Sequence, residues 1–394
     1  MAPLAAAQPV PALASWAPSR TRLGLYVHLP FCRARCGYCA FNTAPYEPGA
    51  MARFLAALKG ETDLVSRAPW TREVTLSTVF FGGGTPSLTP PEEMAALLER
   101  IRGRFTLAPD AEVTVECNPE SVSREKLTAY RRAGVNRISL GVQSLDDGLL
   151  ATLDRVHAAA DARRAFDAAR EAGFNDVSCD LIYGLPGLET PTWERTVREL
   201  LGWGPDHLSA YALSLEEGSL WHSRGVAGRP GEDAVAEQYW GLARLAAAHG
   251  YEHYEVSNYA RPGRRSAHNQ IYWRAEEYLA LGPGASGFLG QVRYTNVKPV
   301  ERYWSLVEAG EPPVGQHETL TSRQRLAERL FLGLRLADGV PATWLDERAA
   351  LEPGRLPRVL EAWHGRRLLT REGARVRLTE AGFLLSDALF IELL

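Results

Sequence analysis

Short runs dense in β-branched and aromatic residues alternate with longer stretches of helical periodicity over the larger, amino-terminal part of the chain. The runs Leu25–Leu29, Val79–Phe81, Val113–Glu116, Ile138–Val142, Val177–Ile182 and His207–Leu213 read as six strands. Between and after them, Ala50–Ser66, Pro91–Arg102, Arg124–Ala133, Ala158–Ala172, Thr190–Leu201 and Glu232–Ala248 carry apolar residues at helical spacing, several opened by Pro or a polar residue and closed near Gly. Strict β/α alternation predicts parallel strands joined by right-handed crossovers. Six units are too few for an eight-fold barrel, so the expected fold class is α/β, a partial (β/α)6 TIM-like barrel with one open side. A twisted open sheet is the other shape that this periodicity allows.

Several strands end in polar or glycine-rich text: HLPFCRARC, GGGTPS, ECNPES, GVQS and DLIYGLPG. In parallel β/α folds the carboxyl ends of strands converge on one site, so these segments are expected to line it together. From about residue 315 the pattern changes. A helical stretch Ser322–Leu336 is followed by Trp344–Ala350, Pro357–His364 and a β-like pair at Leu368–Thr370 and Ala374–Leu378. Helices followed by a small hairpin predict a winged-helix-like module. The expected organisation is therefore a tail over 1–20, a core domain over 21–314 and a small, mostly helical domain over 315–394. The tail is read as loosely packed because four prolines interrupt it, and the same prolines, with no basic start, argue against a signal or transit peptide.

Length and charge narrow the function classes. At 394 residues the chain accommodates one large core and a smaller one. Its 45% hydrophobic and 23% charged residues are those of a soluble globular protein, and no apolar stretch approaches the roughly 20 residues of a bilayer crossing. A formal net charge of −3 argues against nucleic acid as a partner, while leaving room for local, peripheral membrane contact. Five cysteines, three of them clustered, point to a reducing, cytoplasmic compartment and a metal site rather than a disulfide framework.

The cluster is Cys32-Arg-Ala-Arg-Cys36-Gly-Tyr-Cys39, on the loop leaving the first strand. Three thiolates suit three corners of an iron–sulfur cubane and leave one iron open to a small molecule. Arg33 and Arg35 are expected to lower the thiol pKa values. Structural zinc with His28 as fourth ligand is the competing reading, although no second Cys/His pair is present. Cys117 and Cys179 lie within strands and read as small buried residues. The segment Gly82-Gly83-Gly84-Thr85 follows the second strand. By itself it is equally open to a tight turn and to a ligand loop whose backbone N–H groups approach closely.

A C-x3-C-x2-C run after a first strand, with an aromatic before the last Cys, resembles the signature of the radical S-adenosylmethionine (SAM) superfamily. The resemblance implies a [4Fe-4S] cluster on Cys32, Cys36 and Cys39, and SAM chelating the open iron. It also makes the GGGT text similar to the superfamily's SAM amino-group motif. The segments YVHLPFC, FFGGGTPSL, VECNPES, RISLGVQSLDD, DLIYGLPG and LSAYALSLEEGS are similar, in this order, to the subgroup of oxygen-independent coproporphyrinogen III dehydrogenase and the haem chaperone HemW. Carried over residue by residue, the likeness implies SAM contacts at Tyr26, Tyr38, Gly83, Gly84, Thr85, Glu116, Gln143, Arg155 and Asp180. Arg155 suits a carboxylate as a planar fork, and Glu116 and Asp180 suit ribose hydroxyls.

Two departures separate the siblings. The dehydrogenase pattern adds a fourth Cys where this chain has Phe41, and it has a long amino-terminal arm for which the tail here leaves little material. Both favour the chaperone. The text His268-Asn-Gln-Ile-Tyr272-Trp273 is similar to the HNxxYW segment of HemW-like proteins, which implies His268 as a haem ligand with the two aromatics against the porphyrin. His253 and His28 are the fallback ligands. Read from residues alone, the same text is a helix start with a satisfied histidine and core aromatics. The expected function is thus a haem chaperone, monomer or homodimer, that holds haem as cargo and passes it to acceptor haem proteins. The alternative is coproporphyrinogen decarboxylation, and a zinc-stabilised interaction protein is a third reading.

Overall fold

The structure is a computed structural model that describes residues 13–351 and 354–393. All six anticipated strands form: β1 (Arg22–Leu29), β2 (Thr75–Gly83), β3 (Thr106–Cys117), β4 (Arg137–Gln143), β5 (Val177–Tyr183) and β6 (His207–Ala212). They pair in parallel and in sequence order, with registers such as Tyr26↔Phe80, Val79↔Val113, Val115↔Ile138 and Asp180↔Ser209. The crossovers carry α1 (Pro48–Val65), α2 (Pro91–Arg104), α3 (Arg124–Ala133), α4 (Asp147–Thr152), α5 (Ala159–Glu171) and α6 (Thr190–Trp203).

The two-residue period of the strands sorts side chains between two faces. Leu25, Val27, Val79, Phe81, Val113, Val115, Ile138, Leu140 and Val177 are buried in the main hydrophobic core, which also takes in the apolar faces of α1, α2, α5 and α6. The alternate positions Tyr26, His28, Thr78, Phe80, Glu116, Arg137, Ser139, Asp180 and Ser209 point the other way. That face is polar because it lines a site as well as a core.

The parallel core is extended at both edges. After α7 (Leu220–Arg224) and α8 (Glu232–Ala248), β8 (Asn258–Ala260) adds antiparallel to β6, and β7 (Glu252–Glu255) antiparallel to β8. The chain then crosses through α9 (Ala267–Trp273) to β9 (Tyr278–Leu281), which pairs in parallel with β1. Strands β10 (Ser286–Leu289), β11 (Val292–Asn296) and, after α10 (Val300–Glu308), β12 (Val314–Thr319) continue as an antiparallel wing. The sheet has twelve strands in the order β12-β11-β10-β9-β1-β2-β3-β4-β5-β6-β8-β7.

Helix α9 packs on the polar face at the strand-start end of the sheet. Its first N–H groups, at Ala267 and His268, donate to the Glu112 carboxylate at 2.8 and 3.0 Å, and Ser266 caps it by accepting from Asn269 N–H. A carboxylate at a helix N-terminus satisfies free donors and complements the helix dipole.

The carboxyl-terminal unit comprises α11 (Ser322–Gly333), α12 (Ala342–Leu351), α13 (Arg355–Gly365) and a small antiparallel sheet. In that sheet β13 (Val340–Pro341) and β14 (Leu369–Glu372) flank β15 (Arg375–Leu378), giving the anticipated helix-and-wing arrangement. It docks against β7 and β8, with Ala337 N–H donating to Tyr254 C=O and Phe383 packing on His253.

Two boundaries differ from expectation. Residues 315–319 belong to the large sheet as β12 rather than to the small domain. Of the anticipated loose tail, residues 1–12 lie outside the described residues, but Leu13 and Trp16 beyond them are buried. Trp16 is buried against Tyr294 and His317, Trp70 Nε1 donates to Leu13 C=O, and Glu277 accepts from the N–H groups of Ser19 and Arg20. The prolines hid a segment held by one aromatic anchor.

Candidate functional site

The cysteine loop leaves β1 and is clamped at its base by a short parallel pairing, Phe31↔Ala44 and Cys32↔Pro45. Beside it runs the GGGT loop at the end of β2, where Gly84 N–H donates to Leu29 C=O and Thr85 N–H to Phe31 C=O, both at 2.8 Å. Only glycine allows this approach: a Cβ on Gly84 would lie 2.5 Å from the Pro30 carbonyl oxygen. Gly83 adds a left-handed φ of 117°, with the His28 ring where a Cβ would go. The glycines therefore set the distance between the two loops.

A cavity of about 410 Å³ opens between them at the carboxyl ends of β1–β6. It is lined by Cys32, Cys36, Cys39, Tyr38, Gly83, Gly84, Thr85, Glu116, Gln143, Arg155 and Asp180, so eleven residues singled out from the sequence meet in one chamber. Thr85 Oγ1 donates to the Cys32 sulfur at 3.5 Å, and Arg155 Nη1 lies 3.8 Å from the Cys36 sulfur. Arg155 Nη2 donates to Asn118 Oδ1 and to Gly141 C=O at 2.8 and 3.1 Å, while its buried Nε has no partner. Gln143 ends β4 with a φ of 64°, an uncommon conformation for a non-glycine residue that turns the chain at the cavity wall.

Burial governs the electrostatics. It pushes the Cys32 thiol up to about 11 and raises Cys39 as well, against the opposing effects of the Thr85 hydroxyl and of Arg35 and Arg155. Arg35 does act downward on Cys39 as expected, but burial outweighs it. The Arg35 guanidinium donates to the carbonyls of Gly218 and Cys39. The Cys32 and Cys39 sulfurs would lose their protons on meeting metal rather than beforehand. Burial, with the neighbouring Asp180 charge second, pushes Glu116 up to about 7, although Gly83 N–H donates to it at 3.1 Å. Asp180, also raised by burial, accepts from the Ser139 hydroxyl.

Among the described residues no three His, Cys, Asp or Glu side chains gather around a single metal-ion position. Thiols arrayed along one chamber wall suit a cluster that offers each ligand its own iron. His28, the fourth ligand of the zinc reading, accepts from the Tyr26 hydroxyl at Nδ1 (2.9 Å) and donates from Nε2 to Asn42 C=O (2.8 Å), leaving no open nitrogen. Cys117 and Cys179 are buried as expected, although Cys117 also touches the chamber.

Two assigned residues stand outside this chamber. Tyr26 shares the polar face of the sheet but sits beside the chamber rather than in it, stacked on Phe80, bonded to His28 and bordering a smaller cavity with Glu116 and Asp180. His268 is fully buried, its Nδ1 2.7 Å from the Thr78 hydroxyl and its Nε2 2.7 Å from the Tyr272 hydroxyl, with its ring stacked on Phe80. Burial holds this imidazole neutral, its pKa lowered to about 3. Both ring nitrogens are engaged within the chain here, and these contacts fix the phenol of Tyr272. His253 is no substitute, being sandwiched between Tyr259 and Phe383 at the junction with the carboxyl-terminal unit.

Tyr26 and Tyr272 instead border a second cavity of about 810 Å³ beneath the β9–β12 wing, lined also by Phe41, Trp273, Tyr278, Phe288 and Phe331. Ala40, Phe41, Gly83 and Glu116 border both chambers. Asn118, which joins Arg155 to Thr85, carries no separate signal in the sequence, because an Asn-Pro pair reads first as a turn. Trp221 was missed likewise: it packs edge-on against Tyr38, and its N–H donates to Gly37 C=O, so α7 covers the cysteine loop.

The class follows from this construction. A partial β/α barrel bearing a three-cysteine loop and a glycine loop at its strand ends is the architecture of radical SAM proteins. Residues 26–200 match the Radical SAM superfamily model and residues 320–385 the HemN C-terminal domain. The fold is similar to that of coproporphyrinogen III oxidase (HemN) from Escherichia coli, with a TM-score of 0.84 at 22% identity, covering 97% of this chain and 92% of that one. Over 381 residues the chain is 42% identical to the heme chaperone HemW of Mycobacterium tuberculosis (strain ATCC 25618 / H37Rv), spanning 94% of each. It is 36% identical over 371 residues to the heme chaperone HemW of Bacillus subtilis (strain 168), spanning 93% of this chain and 97% of that one. The chain belongs to the HemW family of radical SAM proteins.

Proposed function

We propose that this protein is a haem chaperone: it binds a [4Fe-4S] cluster and SAM in the smaller chamber, holds haem in the larger one, and delivers it to acceptor haem proteins. The observation that carries the reading is the adjacency of the two chambers. A cysteine-lined pocket shares a wall with an aromatic-lined cavity whose volume suits an organic cofactor. The donor set fits the groups assigned to the smaller chamber: three thiols for the cluster, and the unpartnered Arg155 Nε with its planar fork for the SAM carboxylate. The ends of β3 and β5 supply Glu116 and Asp180 as acceptors for ribose hydroxyls. When bound, the cluster supplies single electrons and an iron open to a chelating ligand.

Phe41, in place of a fourth cysteine, favours the chaperone over coproporphyrinogen decarboxylation. It is 66% exposed, an apolar ring beside the cluster loop suited to contact with a partner. The five free thiols fit a reducing compartment, the cytoplasm, and no helix among the described residues is long and apolar enough to cross a membrane.

Anaerobic reconstitution with iron and sulfide, followed by SAM with either haem or coproporphyrinogen, tests the reading. Stoichiometric haem uptake and its passage to an apo-haemoprotein, with no decarboxylated product, is the expected outcome. Formation of vinyl product from coproporphyrinogen overturns it, as does zinc retained without acid-labile sulfide.

A further inference from the structure

We infer that Arg335 is a positioning residue for haem: through it the carboxyl-terminal unit sets the indole of Trp273 in the wall of the larger chamber. The inference rests on the reading above that this chamber holds the cargo, and it gives the carboxyl-terminal unit a part in holding it.

Trp273 is the last residue of α9 and borders the chamber together with Phe331 and Leu332 of α11. The carboxyl-terminal unit grips it at two points. Just beyond it in the chain, Ala275 takes a left-handed φ of 49°, and Arg325 of α11 donates to the Ala275 carbonyl. On the ring itself, the Arg335 guanidinium lies 5.4 Å from the Trp273 centroid and 4.7 Å from that of Phe390, so one cation is shared by two aromatic faces. Arg335 does not itself line the chamber, and its influence on a ligand there passes through Trp273.

Arg335 is in turn held in register by the edge of the large sheet. Val256 N–H donates to the Arg335 carbonyl at 3.1 Å and Ala337 N–H to Tyr254 C=O at 2.9 Å, with Glu255 opposite Leu336. Two carboxyls balance the guanidinium: Asp387, exposed at 3.8 Å, and the buried Glu255. Burial pushes Glu255 up to about 8, against the N–H groups of Ser257 and Asn258, the Arg335 charge and the Trp273 N–H. That indole N–H is buried and has no partner at full hydrogen-bond geometry. Arg335 and Trp273 thus meet over one carboxyl, and a turn of the indole away from the chamber wall would break its contact with both the cation and the acid.

The test is a double-mutant cycle on the cluster-reconstituted full chain, with haem affinity read by Soret titration. R335M keeps the apolar stem and removes the cation, and is expected to weaken haem about 3- to 10-fold while Trp273 is present. In the W273F background the same change is expected to alter affinity by less than about twofold, because residues that act through one another are not additive. Phe390→Leu, a smaller change on the same cation, should weaken haem about twofold to fivefold, and again only while Trp273 is present. Cluster content and SAM affinity should stay at the parent's values in every variant. Equal losses with and without Trp273 in either series, or haem affinity unchanged in R335M and F390L alike, overturn the inference and leave the chaperone reading in place. Failure of the parent holoprotein to bind haem overturns both.

Discussion

Arg155 and Cys36 stand 3.8 Å apart, guanidinium nitrogen to sulfur, although one belongs to the loop after α4 and the other to the loop after β1. The other arm of Arg155 is fixed by Asn118 and Gly141, so the charge is held in place by β3 and β4 rather than by the group it faces. A preset cation beside a thiolate-rich loop serves an anionic ligand end at little reorganisation cost.

Replacing Arg155 by Lys keeps the charge and removes the fork. SAM affinity of the reconstituted protein is expected to fall about 10- to 100-fold, the equivalent of one or two charge-assisted hydrogen bonds, with iron and sulfide content unchanged. Equilibrium binding with labelled SAM measures it. Affinity within twofold of the parent would remove Arg155 from the SAM site.

His268 joins Thr78 on β2 to Tyr272 on its own helix, beneath the stacked rings of Phe80 and Tyr26. The variant His268→Ala leaves a cavity and two buried hydroxyls without partners, at a cost of about 2–4 kcal/mol. Urea unfolding should record that loss, while the Soret band of the haem that does bind keeps the parent's position. A shifted band at undiminished stability would place the histidine on the iron.

Glu61 of α1 is buried among donors from the β9–β12 wing and α10: Gly282 N–H, the Asn296 amide and the Tyr303 hydroxyl. Burial outweighs these donors and raises its pKa from 4.5 to about 7. The folded state therefore holds a proton that the unfolded chain has released between those values, and stability falls as pH climbs through that window. E61Q mimics the protonated form. From pH 5 to 8 its stability relative to the parent is expected to improve by about 2–3 kcal/mol, since each pKa unit is worth about 1.4 kcal/mol. Unfolding midpoints that track each other across that range would show that Glu61 stays ionised.

What could be read in advance divides along physical lines. The six parallel strands are buried on one face and bounded by turn signals, so their periodicity stands out. Their polar carboxyl ends gave eleven of the chamber residues, because site chemistry there interrupts an otherwise apolar text. The antiparallel additions escaped notice because they are short, Asn258–Ala260 being only three residues, all buried, so no alternation shows. The pairing of β9 with β1 joins distant parts of the chain, which no local pattern reports. Tyr26 and His268 stand out in the sequence, yet their placement depends on how α9 covers the polar face of the sheet beside them. That is decided by α9 folding back onto the sheet.

Ala40, Phe41, Gly83 and Glu116 form a party wall between two rooms. Whatever leans on that wall from one side sets the furniture on the other, and thermodynamic reciprocity makes the influence equal in both directions. If nucleoside and pigment occupy the two rooms as proposed, any shift of that wall by one would alter the dissociation constant of the other by the same factor in both directions.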